Sequence, residues 1–151
     1  MIDISVVIPV YNSGDFIHTC LDSIIAQEGN LKYEIILVDD GSTDNSVEVI
    51  QQYEKSQELV KSGGSIVLMQ QQNAGPSKAR NRAIEAARGR YLAFIDADDY
   101  WKPEFFKRTM DFLDKHEECI GVSVLQQVDT VSGTHVSPEI PNGRLSDNDT
   151  C

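Results

Sequence analysis

Basic residues are scarce in this chain. Its 151 residues include 13 Lys+Arg against 24 Asp+Glu, a formal net charge of -11. That balance excludes a phosphate backbone such as DNA or RNA as partner, because such binding is driven by clustered Lys and Arg. It also disfavours an anionic membrane surface. A single anionic nucleotide remains admissible, held locally by a metal and a few basic groups. Cysteine is scarce too. Cys20, Cys119 and Cys151 are odd in number and widely spaced, so they make neither a disulfide framework nor a zinc site. Cys20 falls on an apolar helical face and reads as core, and a reducing cytoplasm is the simplest compartment. No apolar run approaches membrane-spanning length. The start, Met1-Ile2-Asp3-Ile4-Ser5, has no basic n-region and enters a strand directly, which predicts no signal peptide. The chain after the first strand reads Tyr11-Asn12-Ser13-Gly14, not G-x-G-x-x-G, and no G-x-x-x-x-G-K-[ST] occurs. Hydride transfer and P-loop hydrolysis both lose ground. There is no internal repeat and no low-complexity segment.

Hydrophobic residues make up 40% of the chain, enough for one globular domain with a sizeable core. Ile4 to Val10 is β-branched and nearly continuous in hydrophobicity, the pattern of a strand covered on both faces, and Pro9 marks its end. Ser13 or Asp15 can cap a helix whose buried face carries Phe16, Ile17, Cys20, Leu21, Ile24 and Ile25, ending at Gly29-Asn30. Tyr33 to Val38 is a second strand. Ser42, Thr43 or Asp44 can cap the next helix, which carries Val47, Val49, Ile50 and Tyr53. Ser65 to Gln70 is a third strand. Pro76 then opens a helix bearing Lys78, Arg80, Arg82 and Arg88 that stops at Gly89. Tyr91 to Ile95 is a fourth, buried strand, followed by a helix with Phe105, Phe106, Met110 and Leu113. Ile120 to Val128 is a last strand. Residues 1–130 thus form one α/β domain of three layers, α/β/α, with a mainly parallel sheet and right-handed crossovers. Residues 131–151 read as a polar loop or disordered tail.

Carboxylates gather where these strands finish. Ile35-Ile36-Leu37-Val38 runs into Asp39-Asp40, and Leu92-Ala93-Phe94-Ile95 runs into Asp96-Ala97-Asp98-Asp99. Parallel neighbours deliver their carboxyl ends to one edge, where open α/β sheets bind ligands. Three acids within four residues repel one another unless a positive charge sits between them, and a hard divalent cation with oxygen ligands serves. An apolar wall at Pro9 to Tyr11 can hold a base, and Asp40 can accept from a base or ribose. Free N–H groups of the helix after Gly75 can meet phosphate, and Arg80 with Lys78 can neutralise a leaving diphosphate. Taken singly each feature has a plainer reading: Tyr11 as a half-buried aromatic, Asp39 to Asp44 as a turn and cap, Asp98 and Asp99 as helix caps, Trp101 as packing. His18, His116 and His135 are scattered and read as surface or helix-end residues. The joint occurrence, in order, at the ends of one sheet's strands favours a site.

Four segments together resemble the family 2 glycosyltransferases of the GT-A fold. They are Val6-Val7-Ile8-Pro9-Val10-Tyr11-Asn12, Glu34 through Asp44, Asn73 through Asn81, and Phe94-Ile95-Asp96-Ala97-Asp98-Asp99. The resemblance runs from Ile4 to Val128 and implies a Rossmann-like GT-A fold. It also implies a nucleotide-diphosphate sugar donor, a UDP-sugar by expectation, with Mn²⁺ or Mg²⁺ and inversion at the anomeric carbon. By that likeness Pro9, Val10 and Tyr11 line the base site, Asp40 bonds the base with Asp39 beside it, and Arg80 lies near the diphosphate. Asn12, Asn73, Gly75, Asp96 and Ala97 complete the nucleotide-binding set. Asp96 and Asp98 match the D-x-D, with Asp98 the metal ligand and Asp99 nearby. The expected enzyme is a hexosyl transferase of polysaccharide biosynthesis acting on a glycan or lipid-linked acceptor.

Such a transfer needs a general base on the acceptor side, which the family supplies from an acid well after the D-x-D. Here the later acids are Asp129, Glu139, Asp147 and Asp149, in no recognisable motif. The base is therefore expected outside a truncated chain, with the acceptor-binding part. Cytoplasmic residence follows, at the inner membrane face only through a missing part, and a homodimer is left open. Two other readings stand beside this one. One is a non-catalytic nucleotide-sugar-binding module. The other is a nucleotidyltransferase, which more usually carries a Gly-rich basic loop after its first strand.

Overall fold

The computed structural model describes residues 1–116, 128–129 and 135–136. In order they form β1 (Ile2–Val10), α1 (Ile17–Ile25), β2 (Tyr33–Asp39), α2 (Ser46–Glu54), α3 (Gln57–Lys61), β3 (Gly64–Gln70), α4 (Pro76–Ala86), β4 (Gly89–Phe94), α5 (Phe105–Leu113), β5 (Val128–Asp129) and β6 (His135–Val136). Residues divide into two compact units, Met1–Lys107 and Arg108–Cys151. Among the described residues no helix is long and apolar enough to cross a membrane.

The first unit is built on a four-stranded parallel sheet ordered β3-β2-β1-β4. The chain steps outward from β1 to β2 to β3, then returns past both to lay β4 on the other side of β1. Right-handed crossovers then put α1 and α2, which touch each other, on one face and α4 on the other. This gives the expected α/β/α layering. On the α4 face, Val7, Ile36 and Val38 pack against Ala79 and Ala83, whose small side chains let the helix sit close. All seven residues of β2 are buried. Each fully buried Ile, Leu or Val there contributes about 1.5–3 kcal/mol, so β2 and β1 are the spine of the domain.

Pro9 lies inside β1, paired opposite Val38, and not beyond its end. Val7 O accepts from Ile95 N on the β4 side, and Val10 O accepts from Asp40 N on the β2 side. By that alternation the Pro9 nitrogen faces the β4 side, where the ladder has already ended at Val7–Phe94. The proline thus sits where pairing on that side stops, which is how a central strand tolerates it.

At the opposite, amino edge a buried polar cluster ties three strands together. Glu34 is fully buried, and its Oε1 accepts from Ser5 Oγ (2.7 Å) and Arg88 N (2.7 Å). Its Oε2 accepts from Arg88 Nη2 (2.8 Å) and Nε (3.1 Å). Burial alone would push the Glu34 carboxyl up, but the bonds from Ser5 and Arg88 and the guanidinium charge outweigh it and hold the group below its ordinary range. Gly89 N donates to Ser5 Oγ at 2.8 Å, and a Cβ on Gly89 would sit 2.5 Å from Ser5 N. Gly89 therefore opens β4 and Arg88 immediately precedes it, while α4 stops at Ala86.

Other expectations also shift. Phe16 is 56% exposed and precedes α1 as its N-cap, without any side-chain cap from Ser13 or Asp15. The helix start is closed by backbone bonds from Phe16 N and Ile17 N to Ser13 O. Among the described residues β4 is an edge strand, half-buried on one face and exposed on the other, with Leu92 43% and Phe94 50% exposed. The short helix α3, capped by Ser56 Oγ accepting from Leu59 N, has no counterpart in the sequence reading. In the second unit, Phe112 stacks on His116, and β5 pairs antiparallel with β6 as a separate two-stranded sheet. The rest of the expected strand from Ile120 to Val128, and of the expected 131–151 tail, lies outside the described residues.

Candidate functional site

The strand order reverses between β1 and β4, and in open α/β sheets the crevice at the carboxyl ends beside such a reversal is where ligands bind. An open cleft of about 600 Å³ lies there. Its lining brings together Pro9, Val10, Tyr11, Asn12, Asp40, Asn73, Gly75, Arg80, Asp96, Ala97 and Asp98 from the sequence reading, and adds Ser13, Phe16 and Pro76. Asp39 is not on the cleft wall. It is buried at 2% exposure, and its Oδ1 accepts from Ser42 N within its own turn.

On the β2–β3 side, Asp40 is 3% exposed. Its Oδ1 accepts from Gln71 Nε2 and Ala74 N, and its Oδ2 from Gly75 N, each at 2.8 Å. Burial would raise this carboxyl, yet the three bonds and the nearby Lys78 charge hold it below the ordinary carboxylate range. A carboxylate has about four acceptor positions, so the three bonds leave one, and Asp40 lines the cleft. The same bonds revise the expectation for α4. Gly75 N is committed to Asp40, Pro76 has no N–H, and Lys78 N and Ala79 N fold back on Gly75 O. Of the first-turn amides, these bonds leave Ser77 N, and Arg80 is the guanidinium of this helix that lines the cleft.

On the β4 side, Arg80 Nη2 meets Asp96 Oδ1 in an ion pair, with side chains 35% and 52% exposed. Asp99 N donates to Asp96 O at 3.0 Å and tightens the turn, while Asp98 is exposed at its rim. This acid turn is fastened at both ends. Ile95 N donates to Val7 O, and Trp101 N donates to Ser23 Oγ at 3.1 Å. Gln27, just past the end of α1, reinforces the second anchor by donating to Lys102 O and accepting from Phe106 N. Trp101 itself stacks on Phe105 at 4.1 Å, a packing role. Beneath the turn, burial pushes the Cys20 thiol up to about 12, helped by the charges of Asp99, Asp98 and Asp96. This favours the protonated thiol.

Among the described residues, no three His, Cys, Asp or Glu side chains converge as a closed metal site. The carboxylate donors at 96 and 98 nonetheless suit a hard divalent cation. Mg²⁺-like ions are commonly held by one or two carboxylates and completed by substrate phosphates and water. Of the later acids weighed as a general base, Glu139, Asp147 and Asp149 lie outside the described residues.

Sequence reasoning missed Phe16, whose helical spacing placed it in the core. It also missed the bracing between the loops after β1 and β2, although Ser42, Thr43 and Asp44 were legible as cap formers. Asn12 has a positive φ of 48°. Its N–H donates to Ser42 Oγ, and its Oδ1 accepts from Thr43 N. Ser13 N donates to Ser46 Oγ and Gly14 N to Asp44 Oδ2.

Known proteins share this chain's sequence pattern and fold. An uncharacterized glycosyltransferase of Escherichia coli (strain K12), YibD, is 47% identical over 107 residues, covering 71% of this chain and 29% of that protein. The poly(ribitol-phosphate) beta-N-acetylglucosaminyltransferase TarS of Staphylococcus aureus (strain Mu50) is 32% identical over 121 residues, covering 80% of this chain and 20% of its own. The crystal structure of S. aureus TarS 1-349 in complex with UDP superposes with a TM-score of 0.68 at 29% identity, covering 83% of this chain and 38% of that one. The mannosyltransferase PcManGT of Pyrobaculum calidifontis, in complex with GDP-Man and Mn²⁺, gives a TM-score of 0.65 at 25% identity, covering 73% and 32%. The chain therefore spans less than a third of these curated relatives' length. The family described as Glycosyl transferase family 2 matches residues 5–149. With a cleft of this form at the reversal of a GT-A sheet and a match over most of its length, the chain belongs to glycosyl transferase family 2.

Proposed function

We propose that this chain carries the donor side of a glycosyltransferase. It would bind a nucleotide-diphosphate sugar, a UDP-sugar by preference, and support inverting transfer to a glycan or lipid-linked acceptor with Mn²⁺ or Mg²⁺. One observation carries the reading: an aromatic wall at Tyr11, a buried acceptor at Asp40, a guanidinium at Arg80 and exposed carboxylates at Asp96 and Asp98 share one cleft. The UDP complex of TarS and the GDP-Man and Mn²⁺ complex of PcManGT support it by similarity.

In this reading Tyr11 offers a face for the base, and the remaining acceptor position of Asp40 takes a base N–H. Asp98, with Asp96, would hold the cation, which when bound supplies positive charge to the leaving diphosphate. Arg80 exchanges its carboxylate partner for phosphate oxygens and stabilises the charge that grows as the glycosidic bond breaks. The acceptor hydroxyl attacks the anomeric carbon from the opposite side, and its proton passes to a general base on the acceptor side. Calorimetric titration of UDP with and without Mn²⁺ tests the proposal. Binding that strengthens with Mn²⁺ is expected, and no heat of binding under either condition overturns it.

A further inference from the structure

Tyr11 is 52% exposed, so packing alone does not hold it. Its neighbours are held instead by another loop. Three successive backbone donors, Asn12 N, Ser13 N and Gly14 N, go to Ser42 Oγ (2.9 Å), Ser46 Oγ (2.8 Å) and Asp44 Oδ2 (2.8 Å). Asn12 returns the favour by accepting from Thr43 N at 2.8 Å, and Ser13 Oγ donates to Tyr11 O at 3.2 Å. Asp44 is the hub of this lattice, because its Oδ1 also accepts from Ser46 N (3.1 Å) and Ser46 Oγ (2.5 Å) and so aims the hydroxyl that receives Ser13. A Cβ on Gly14 would collide with Asn45 and crowd Asp44 Oδ2, so the two loops meet closely there. Asp44, Thr43 and Ser46 are not part of the cleft lining.

We infer that Asp44 is a positioning residue: through Gly14 and Ser46 it fixes the backbone that presents Tyr11 and Asn12 to the nucleoside. The inference rests on the donor-site reading above and adds a residue to it that touches no ligand. Its effect should be confined to one end of the cleft. The β1–β2 ladder, seven paired positions long, holds the strands whether or not the loops are braced. The acid turn is anchored elsewhere, to Val7 and Ser23. Losing Asp44 therefore loosens the base wall, and the ordering of that wall becomes a cost of binding.

The test measures UDP affinity and, separately, pyrophosphate affinity in the presence of Mn²⁺, for wild type, Asp44→Ala and Asp44→Asn, at a temperature below the melting transition of each. Asp44→Ala is expected to weaken UDP about ten-fold, while Asp44→Asn, which keeps one acceptor oxygen, weakens it about three-fold. Pyrophosphate binding stays unchanged in both. Ser42→Ala, which removes only the acceptor of Asn12 N, gives the same selective weakening and replaces Asp44→Ala if that variant does not fold. Unchanged UDP affinity in the folded variants overturns the inference, as does an equal loss for pyrophosphate. Absence of UDP binding by wild type overturns the donor-site reading and this inference with it.

Discussion

On the β2–β3 side of the cleft, a single carboxylate, Asp40, is buried and accepts three hydrogen bonds from the chain itself. On the β4 side, Asp96 and Asp98 stand exposed, and Asp96 meets the similarly accessible Arg80. The first wall is assembled by folding, since its acid has donors in place and holds the 73–75 loop in return. The second keeps charge of both signs near water, ready to change partners. Preorganised donors and acceptors suit a rigid aromatic base, whereas a diphosphate brings its own charge and can complete an unfinished set. On the donor-site proposal, specificity for the nucleoside and affinity for the phosphates would reside in walls with different energetics.

The largest effect that would break this contrast is on stability. Asp40→Ala leaves two loop amides and the Gln71 amide without their acceptor, and should cost about 2–4 kcal/mol. A thermal melt followed by circular dichroism should show a fall of about 10 °C. Asp98→Ala should move the same melt by the equivalent of about 0.5 kcal/mol or less, while abolishing the Mn²⁺-dependent part of UDP binding. Equal melting shifts would erase the distinction between the walls.

Acid titration sharpens it further. Asp40 and Asp44 are both held below their ordinary value of 3.8. For Asp44, burial opposes the shift, and the bonds from Ser46 and Gly14 overcome it. The unfolded chain therefore takes up protons first as the pH falls. The stability these groups confer is complete above that ordinary value and is lost as the pH drops through their depressed folded values. Wild type should lose more stability as the pH falls below about 4 than Asp40→Asn or Asp44→Asn, as read from urea midpoints across that range. The smallest expected change is for Arg80→Ala. An exposed ion pair is worth about 0–1 kcal/mol, so its melt should hardly move even as UDP binding weakens.

How much of this was legible beforehand depends on how far each feature reaches along the chain. The alternation of strands and helices, and the acids at the ends of β2 and β4, rest on short-range patterns. Tyr91 to Ile95 reads as a buried run, but a strand's second face is buried only if distant residues cover it, and Leu92 and Phe94 are exposed. Asp40 was legible as a strand-end acid, but its donors at 71, 74 and 75 lie more than thirty residues away. The same separation hid the bracing of Asn12 to Gly14 by Ser42 to Ser46. Phe16 fitted helical spacing, yet it sits one position ahead of the helix, where the chain still points it toward the cleft rim. Arg88 continued a basic helix in sequence, whereas the buried Glu34 holds it outside the helix, just before β4.

The acid turn resembles a short bridge between two piers, Ile95 on the sheet and Trp101 on α1, with five residues from Asp96 to Tyr100 as its deck. A deck that short can tilt its side chains but cannot swing outward. On the proposed reading, where a cation would rest is therefore dictated partly by Ser23, on a helix whose body lies across the sheet from Arg80, and by Gln27 just past that helix's end.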